Sequence, residues 1–324
     1  MPVKMAFTGY PLGSVHCPRL QPADMTEAEF IAALKRLPLH PAARDLGDDT
    51  AVLAPAGSLV LTKDMIVEGV HFLPDDPPGD VAWKLLAVNL SDLAAKGAEP
   101  VGVLLGYMLG DNGWDAAFLT GLDSAMRRFD CPLLGGDTVA ATGARTLSLT
   151  AIGRAESAPA RSGAQAGDAL WVTGTIGDAG AGLAIAQGEA GPDTLLDRYR
   201  RPVPRLAEGR ALAPIVHAMM DVSDGLLIDA SRMAVASGLA VDIALDAVPL
   251  SDALIGHRKD NRDSRMAAVT AGDDYELLFA LPPGTGPSVP ATRVGSFNHG
   301  SGLLLTDGGA PIPLPDRTGF EHRR

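Results

Sequence analysis

Two aspartates set directly ahead of an apolar run, Gly47-Asp-Asp-Thr-Ala-Val-Leu53, place the tightest limit on what this chain can become. A second apolar run, Leu59-Val-Leu61, follows after Pro55-Ala-Gly57 and ends on Thr62, Lys63 and Asp64. Two short β-type runs joined by a Pro/Gly turn read as a hairpin. Such a hairpin brings Asp48 and Asp49 beside Asp64 at neighbouring strand ends. Carboxylates held that close repel one another unless a cation lies between them. One Asp-Asp pair alone is ordinarily a solvated loop end, but here the pattern recurs along the chain.

Residues 1–24 are rich in Pro and Gly and without periodicity; they read as a loose extension, or as the product of an upstream start with Met25 the functional one. Thr26 and Glu29 make a capping box ahead of a helical face of Phe30, Ile31, Leu34 and Leu37. Past the hairpin, Asp64 to Phe72 reads as an extended segment ending on His71, which by itself is more often a packed or surface residue than a functional one. Asp80 is placed to cap a helix reaching about Lys96, apolar on nearly every side and therefore buried. Asn89 and Asp92 share a face of it. A carboxylate on a buried helix is costly unless paired or bound to metal, which sets Asp92 apart from surface acids.

Val101 to Met108 reads as a strand, Trp114, Phe118, Leu122 and Met126 as one face of a helix, and Cys131-Pro-Leu-Leu134 as a short buried strand running into Gly135-Gly-Asp137-Thr138. Thr146 to Ile152 alternates like a half-buried strand. Residues 154–168 read as a linker, so the expected division is an N-terminal domain over 25–153 and a C-terminal domain over 169–324. In the second domain Gly174 to Gly182 follows a strand and could cradle a phosphate, although a tight structural turn is the commoner use of such glycines, and the run lacks a Walker ending. Asp221, Ser223 and Asp224 stand at a helix start, where N–H groups point toward an anion. Asp273 and Asp274 again precede an apolar strand.

With 324 residues and a 46% hydrophobic share, the chain can bury the cores of two α/β (α+β) domains. A formal net charge of −12 argues against a nucleic-acid binder but not against a small phosphorylated ligand, because bound divalent cations reverse the local sign. Cys17 and Cys131 are the only cysteines, leaving no disulfide framework and no cysteine zinc site. No apolar run approaches membrane-spanning length, and residues 1–24 hold no signal-like core, so no membrane partner and a cytoplasmic location are expected.

Mg²⁺ takes oxygen ligands, usually one or two carboxylates together with substrate phosphates. Acidic points scattered over two domains therefore suit several Mg²⁺ ions around a polyphosphate better than one caged metal. Phosphoryl transfer needs that arrangement, since charge must be neutralised and the attacking and leaving oxygens held in line. A zinc or two-metal hydrolase is the rival metal reading, but the histidines lack ligand spacing.

In this order the chain also carries Gly47-Asp-Asp-Thr-Ala-Val-Leu53, Asp64-Met-Ile-Val-Glu-Gly-Val-His-Phe72, Val88-Asn-Leu-Ser-Asp-Leu-Ala-Ala-Lys-Gly-Ala-Glu-Pro100, Gly135-Gly-Asp-Thr138, Arg161-Ser-Gly-Ala164, Asp221-Val-Ser-Asp-Gly225 and Gly272-Asp-Asp-Tyr-Glu-Leu277. Together, from about residue 25 to Phe320, these resemble the thiamine-monophosphate kinases, members of the superfamily that contains aminoimidazole ribonucleotide synthetase. The resemblance implies the two-domain fold of that superfamily, an N-terminal domain that pairs in a homodimer, and ATP in the cleft between domains. It implies transfer of the ATP γ-phosphoryl group to thiamine monophosphate by direct in-line attack, the last step in making thiamine diphosphate. Asp49, Thr62, Lys63, Asp64, Asp92, Asp137, Asp221 and Asp224 then serve the Mg²⁺ ions, with Asp49, Asp64, Asp92, Asp137 and Asp221 acting in catalysis through metal. Gly136, Asp137, Arg161 and Ser223 touch ATP, while His71, Asp273 and Phe320 face the thiamine phosphate. Lys63 stands where a second hydroxyl residue is usual and Asp273 where Glu is usual. Asp48 is read as a supporting acid.

Two other readings differ from this. A sister enzyme such as selenophosphate synthetase wants a reactive Cys in a glycine-rich segment, a setting Cys17 lacks. A nucleotide-binding module that has lost turnover would find support only in Lys63 and Asp273.

Overall fold

Alternation over Thr146–Ala155 builds the strand at the centre of the first sheet, with alternate side chains buried along nearly its whole length. The computed structural model describes residues 51–53, 58–109 and 112–322. The extension, the capping box at Thr26, the helical face from Phe30 to Leu37, Asp48 and Asp49 lie outside the described residues.

Strands β1 (Ala51–Leu53), β2 (Ser58–Val67), β3 (Glu99–Met108), β4 (Leu133–Val139) and β5 (Thr146–Ala155) form a five-stranded sheet in the order β1-β2-β5-β3-β4. The hairpin read from the sequence forms, with Ala51 opposite Leu61. Its second strand runs on to Val67, so Thr62 and Asp64 stand mid-strand instead of at a strand end. Helices α1 (Pro78–Ala94) and α2 (Asn112–Phe129) cover one face. Leu85, Leu86, Leu90 and Leu93 of α1 join Val60, Ile66, Leu147 and Leu149 of the strands in one core.

Two expectations change here. Asp80 does not cap α1: Pro78 occupies its first turn, where a missing N–H costs nothing, and the Asp80 carboxylate instead accepts from Arg201. The run at Leu133-Leu134 is not buried. Among the described residues strand β4 pairs with β3 alone, at the sheet edge, and both leucines are about half exposed.

The second sheet has seven strands in the order β12-β11-β8-β10-β6-β9-β7. They are β6 (Ala169–Thr173), β7 (Ala218–Asp221), β8 (Ala240–Ala244), β9 (Leu277–Leu281), β10 (Ala291–Asn298), β11 (Gly302–Asp307) and β12 (Ala310–Ile312). Among the described residues six helices accompany it: α3 (Asp178–Ala186), α4 (Asp193–Arg200), α5 (Leu206–Leu212), α6 (Leu226–Ser237), α7 (Asp252–Arg258) and α8 (Arg262–Ala271). The first turn of α3 does not present a free phosphate cradle, because the N–H of Gly177 donates to the buried Asp274 carboxylate at 2.9 Å. No described helix is long and apolar enough to cross a membrane.

The two sheets meet through α1. Ala94 and Ala95 at its end pack with Leu212, Met219, Leu277 and Phe279. At its start, the Tyr199-Arg-Arg-Pro202 segment grips it: Asp76 accepts from Tyr199 and Arg200, and Trp83 donates to the Pro202 carbonyl at 2.8 Å.

Candidate active site

Strand alternation sends Thr62 and Asp64 to the helix-covered face of the first sheet and Lys63 to the open one. On the covered face the Thr62 hydroxyl donates to Asp92 of α1. Asn89, one turn earlier, accepts from the Asp64 N–H at 2.9 Å and so holds that stretch of β2 against the helix. Ser91, next to Asp92, donates to Asp221 of the second unit at 2.6 Å. Consecutive residues of one helix thus meet Thr62 of the first sheet and Asp221 of the second at a shared seam.

Tyr275 lies in the same place. Burial, reinforced by the carboxylates of Asp273, Asp64 and Asp221, pushes its phenol well above the ordinary range, so it stays a neutral donor, and its hydroxyl bonds Asp273 at 3.1 Å. Asp273 and Tyr275 both hold left-handed backbone, with φ of 61° and 51°, a costly state for such residues and one that clusters at functional sites. The loop is zipped to its neighbour: Asp273 N–H donates to the Ser223 carbonyl at 2.7 Å and Tyr275 N–H to the Val222 carbonyl at 2.8 Å. Gly272 permits this approach, since a Cβ there would fall 2.7 Å from the Ser223 carbonyl oxygen.

The turn at Ser223–Gly225 departs from the sequence reading. Its three N–H groups do not await an anion; all donate to Asp229 of α6, which folds back to cap its own helix. Burial, and next to it the Asp224 carboxylate, push Asp229 up to about 7, while Arg232 and the backbone donors pull the other way. Asp224 itself is paired with Arg232. Arg161 sits close enough to Asp229 to act on its charge.

The residues read as facing the acceptor substrate come together. Chain reversal at Gly69 lets His71 Nδ1 accept from the Val67 N–H at 3.0 Å. Burial, then His322, lowers the His71 pKa, so the ring is neutral at pH 7 with its proton on Nε2. The His71 ring lies 5.2 Å from that of His322, which in turn meets Phe320 edge-on at 5.0 Å. Phe320 borders a cavity of about 310 Å³, lined also by Thr270, Ala271, Arg317, Gly319 and Glu321.

Two expected metal residues stand apart. Register across β2, β5, β3 and β4 aligns Met65, Ser148, Gly106 and Asp137, which puts Asp137 on the open face with Lys63 and away from Asp64 and Asp92. The Lys63 ammonium donates to Ser148 there at 3.2 Å, so no side-chain ligand to a metal comes from Lys63. Gly136 is on exposed β4 beside Asp137. Among the described residues no three Asp, Glu, His or Cys side chains are already gathered around one metal position.

Lys84, Ser91, Tyr275 and His322 were not read from the sequence. Lys84 could have been: the cost of a charge on an apolar helix, applied to Asp92, applies equally to it.

Against known proteins, the family model described as "AIR synthase related protein, N-terminal domain" matches residues 47–155, and its C-terminal counterpart matches 165–309. The thiamine-monophosphate kinase of Caulobacter vibrioides is 40% identical, over 93% of this chain and 92% of its own length. That of Salmonella typhimurium is 38% identical, over 86% and 91%. The solved structure of AaThiL complexed with AMPPCP and TMP superposes with a TM-score of 0.83 at 30% identity, covering 92% of this chain and 97% of that one.

Proposed function

Since the chain belongs to the thiamine-monophosphate kinase family, we propose that it transfers the γ-phosphoryl group of ATP to thiamine monophosphate, giving thiamine diphosphate and ADP. The observation that supports this most is the seam at α1, where Ser91 holds Asp221 while the neighbouring Asp92 meets Thr62. Asp64 of the first sheet and Asp221 of the second both act on the Tyr275 phenol there, which brings acids of both sheets near one point, as a polyphosphate with its cations requires.

The donors fit Mg²⁺. Thr62, Asp64, Asp92 and Asp221 offer only oxygen, the preference of a hard cation, with no thiolate or imidazole among them. Asp49 and Asp224 complete the proposed set, Asp224 by leaving Arg232, while Asp137 serves a separate ion from the open face of the first sheet. Bound Mg²⁺ supplies charge neutralisation as two phosphates approach. Gly136, Asp137, Arg161 and Ser223 hold ATP. His71 presents an Nε2–H to the acceptor side, Asp273 a carboxylate, and Phe320 a ring face suited to stacking on a thiamine ring. The phosphate acceptor is already an anion, so in-line attack needs alignment more than a general base.

Residues 25–153 and 169–324 act in this reading as two domains joined by 154–168, in a cytoplasmic enzyme that works as a homodimer. The apolar side chains exposed at the β3–β4 edge, Val101, Leu104, Leu133, Leu134 and Val139, support the dimer. Leu134→Asp is expected to halve the mass found by sedimentation; a wild-type monomer would refute pairing.

The deciding assay couples ADP release to identification of the thiamine product, with ATP, Mg²⁺ and either thiamine monophosphate or free thiamine. Thiamine diphosphate from the monophosphate is the expected product. ATP bound without any phosphorylated product sinks the proposal in favour of a module that has lost turnover.

A further inference from the structure

Lys84 lies in the interior of α1 with its side chain only 3% exposed, among leucines and alanines. Its ammonium donates to Asp273 Oδ2 at 2.7 Å and to the His71 carbonyl at 3.0 Å, and sits 4.2 Å from the centre of the Tyr199 ring. One buried cation from the first sheet's helix therefore ties together two of the three residues assigned to the acceptor, one of them in the second unit. The other Asp273 oxygen takes the Tyr275 hydroxyl, so both oxygens are fixed while the side chain stays 34% exposed.

Stability does not account for this lysine. A buried ion pair is seldom better than a well-packed apolar pair, because both charges lose water. Position does account for it. Aspartate is short, its backbone here is in a costly conformation, and its carboxylate points usefully only if something holds it.

We propose that Lys84 is a positioning residue for the acceptor substrate, setting the Asp273 carboxylate and the His71 turn in one register across the domain seam. This rests on the kinase reading. Partners that orient a ligating group commonly carry about 10–100-fold in affinity or activity. Lys84→Met, similar in length and uncharged, is expected to raise KM for thiamine monophosphate about ten-fold or more, with KM for ATP within about two-fold. Lys84→Arg keeps the charge and recovers part of the loss. In an Asp273→Asn background, Lys84→Met costs clearly less than it does alone, because part of its effect passes through that carboxylate and only the His71 contact is left to lose.

The experiment is steady-state kinetics on the full chain and these variants, varying each substrate in turn. Lys84→Arg, which keeps the charge in the buried site, carries the test if Lys84→Met does not fold, and is expected to show a smaller rise with the same selectivity. An unchanged KM for thiamine monophosphate in either variant overturns the proposal. So does an equal rise for both substrates, which marks a purely structural lysine, or full additivity in the double variant. A wild-type chain that makes no thiamine diphosphate refutes the kinase reading instead, before any variant is compared.

Discussion

Replacing Asp92 by Asn is expected to lower the rate of phosphoryl transfer by about three orders of magnitude while leaving the fold in place. The two side chains share size and shape, and an amide oxygen still accepts from the Thr62 hydroxyl that bonds Asp92. What disappears is the negative charge at the centre of the seam, one residue from the Ser91 that holds Asp221. An oxygen donor without charge binds Mg²⁺ weakly, and the phosphates then meet with their repulsion unrelieved. Single-turnover product formation, with melting curves to verify folding, makes the comparison. A loss smaller than about ten-fold would remove Asp92 from the catalytic set and leave Asp64 and Asp221 to carry it.

Glu276→Ala is expected to cost stability instead, about 3–5 kcal/mol. Glu276 is fully buried and accepts from Thr173, from Arg198 and twice from Arg205, the arginine contacts lying at 2.6–2.7 Å. Among the described residues, removing the acid leaves the Arg198 and Arg205 guanidiniums with only the longer contacts to Asp178 at 3.8 Å and Glu208 at 3.6 Å. The same carboxylate explains Gly174, where a Cβ would fall 2.2 Å from Glu276 Oε1. Urea denaturation of wild type and variant gives the difference; a change under about 1 kcal/mol would mean the arginines find water without cost.

The hairpin at Ala51–Leu61, the buried helix carrying Asn89 and Asp92, and the acids ahead of β9 were all legible, because period and turn chemistry signal them directly. Other features were hidden for identifiable reasons. An apolar run such as Leu133-Leu134 announces a strand but not whether a neighbour will cover it. The N–H groups at Ser223–Gly225 are filled by Asp229, an acid four to six residues ahead that reads as ordinary helix surface. The separation of Asp137 from Asp64 follows from register across four strands, which no local pattern encodes. His71 meets Phe320 through His322 only because the end of the chain returns to it, a contact spanning most of the sequence.

The order of the second sheet bears on how this chain is made. Strand β6 is synthesised first, yet it lies between β10 and β9, and the Thr173 hydroxyl waits 104 residues for the N–H of Leu277. On the ribosome β6 must emerge with both edges open; β9 later covers one of them and β10 the other. Pairings this distant in sequence form slowly and leave apolar strand edges exposed in the meantime. A truncation ahead of β9 therefore leaves β6, β7 and β8 with no two of them neighbours, so the sheet can assemble only late in synthesis.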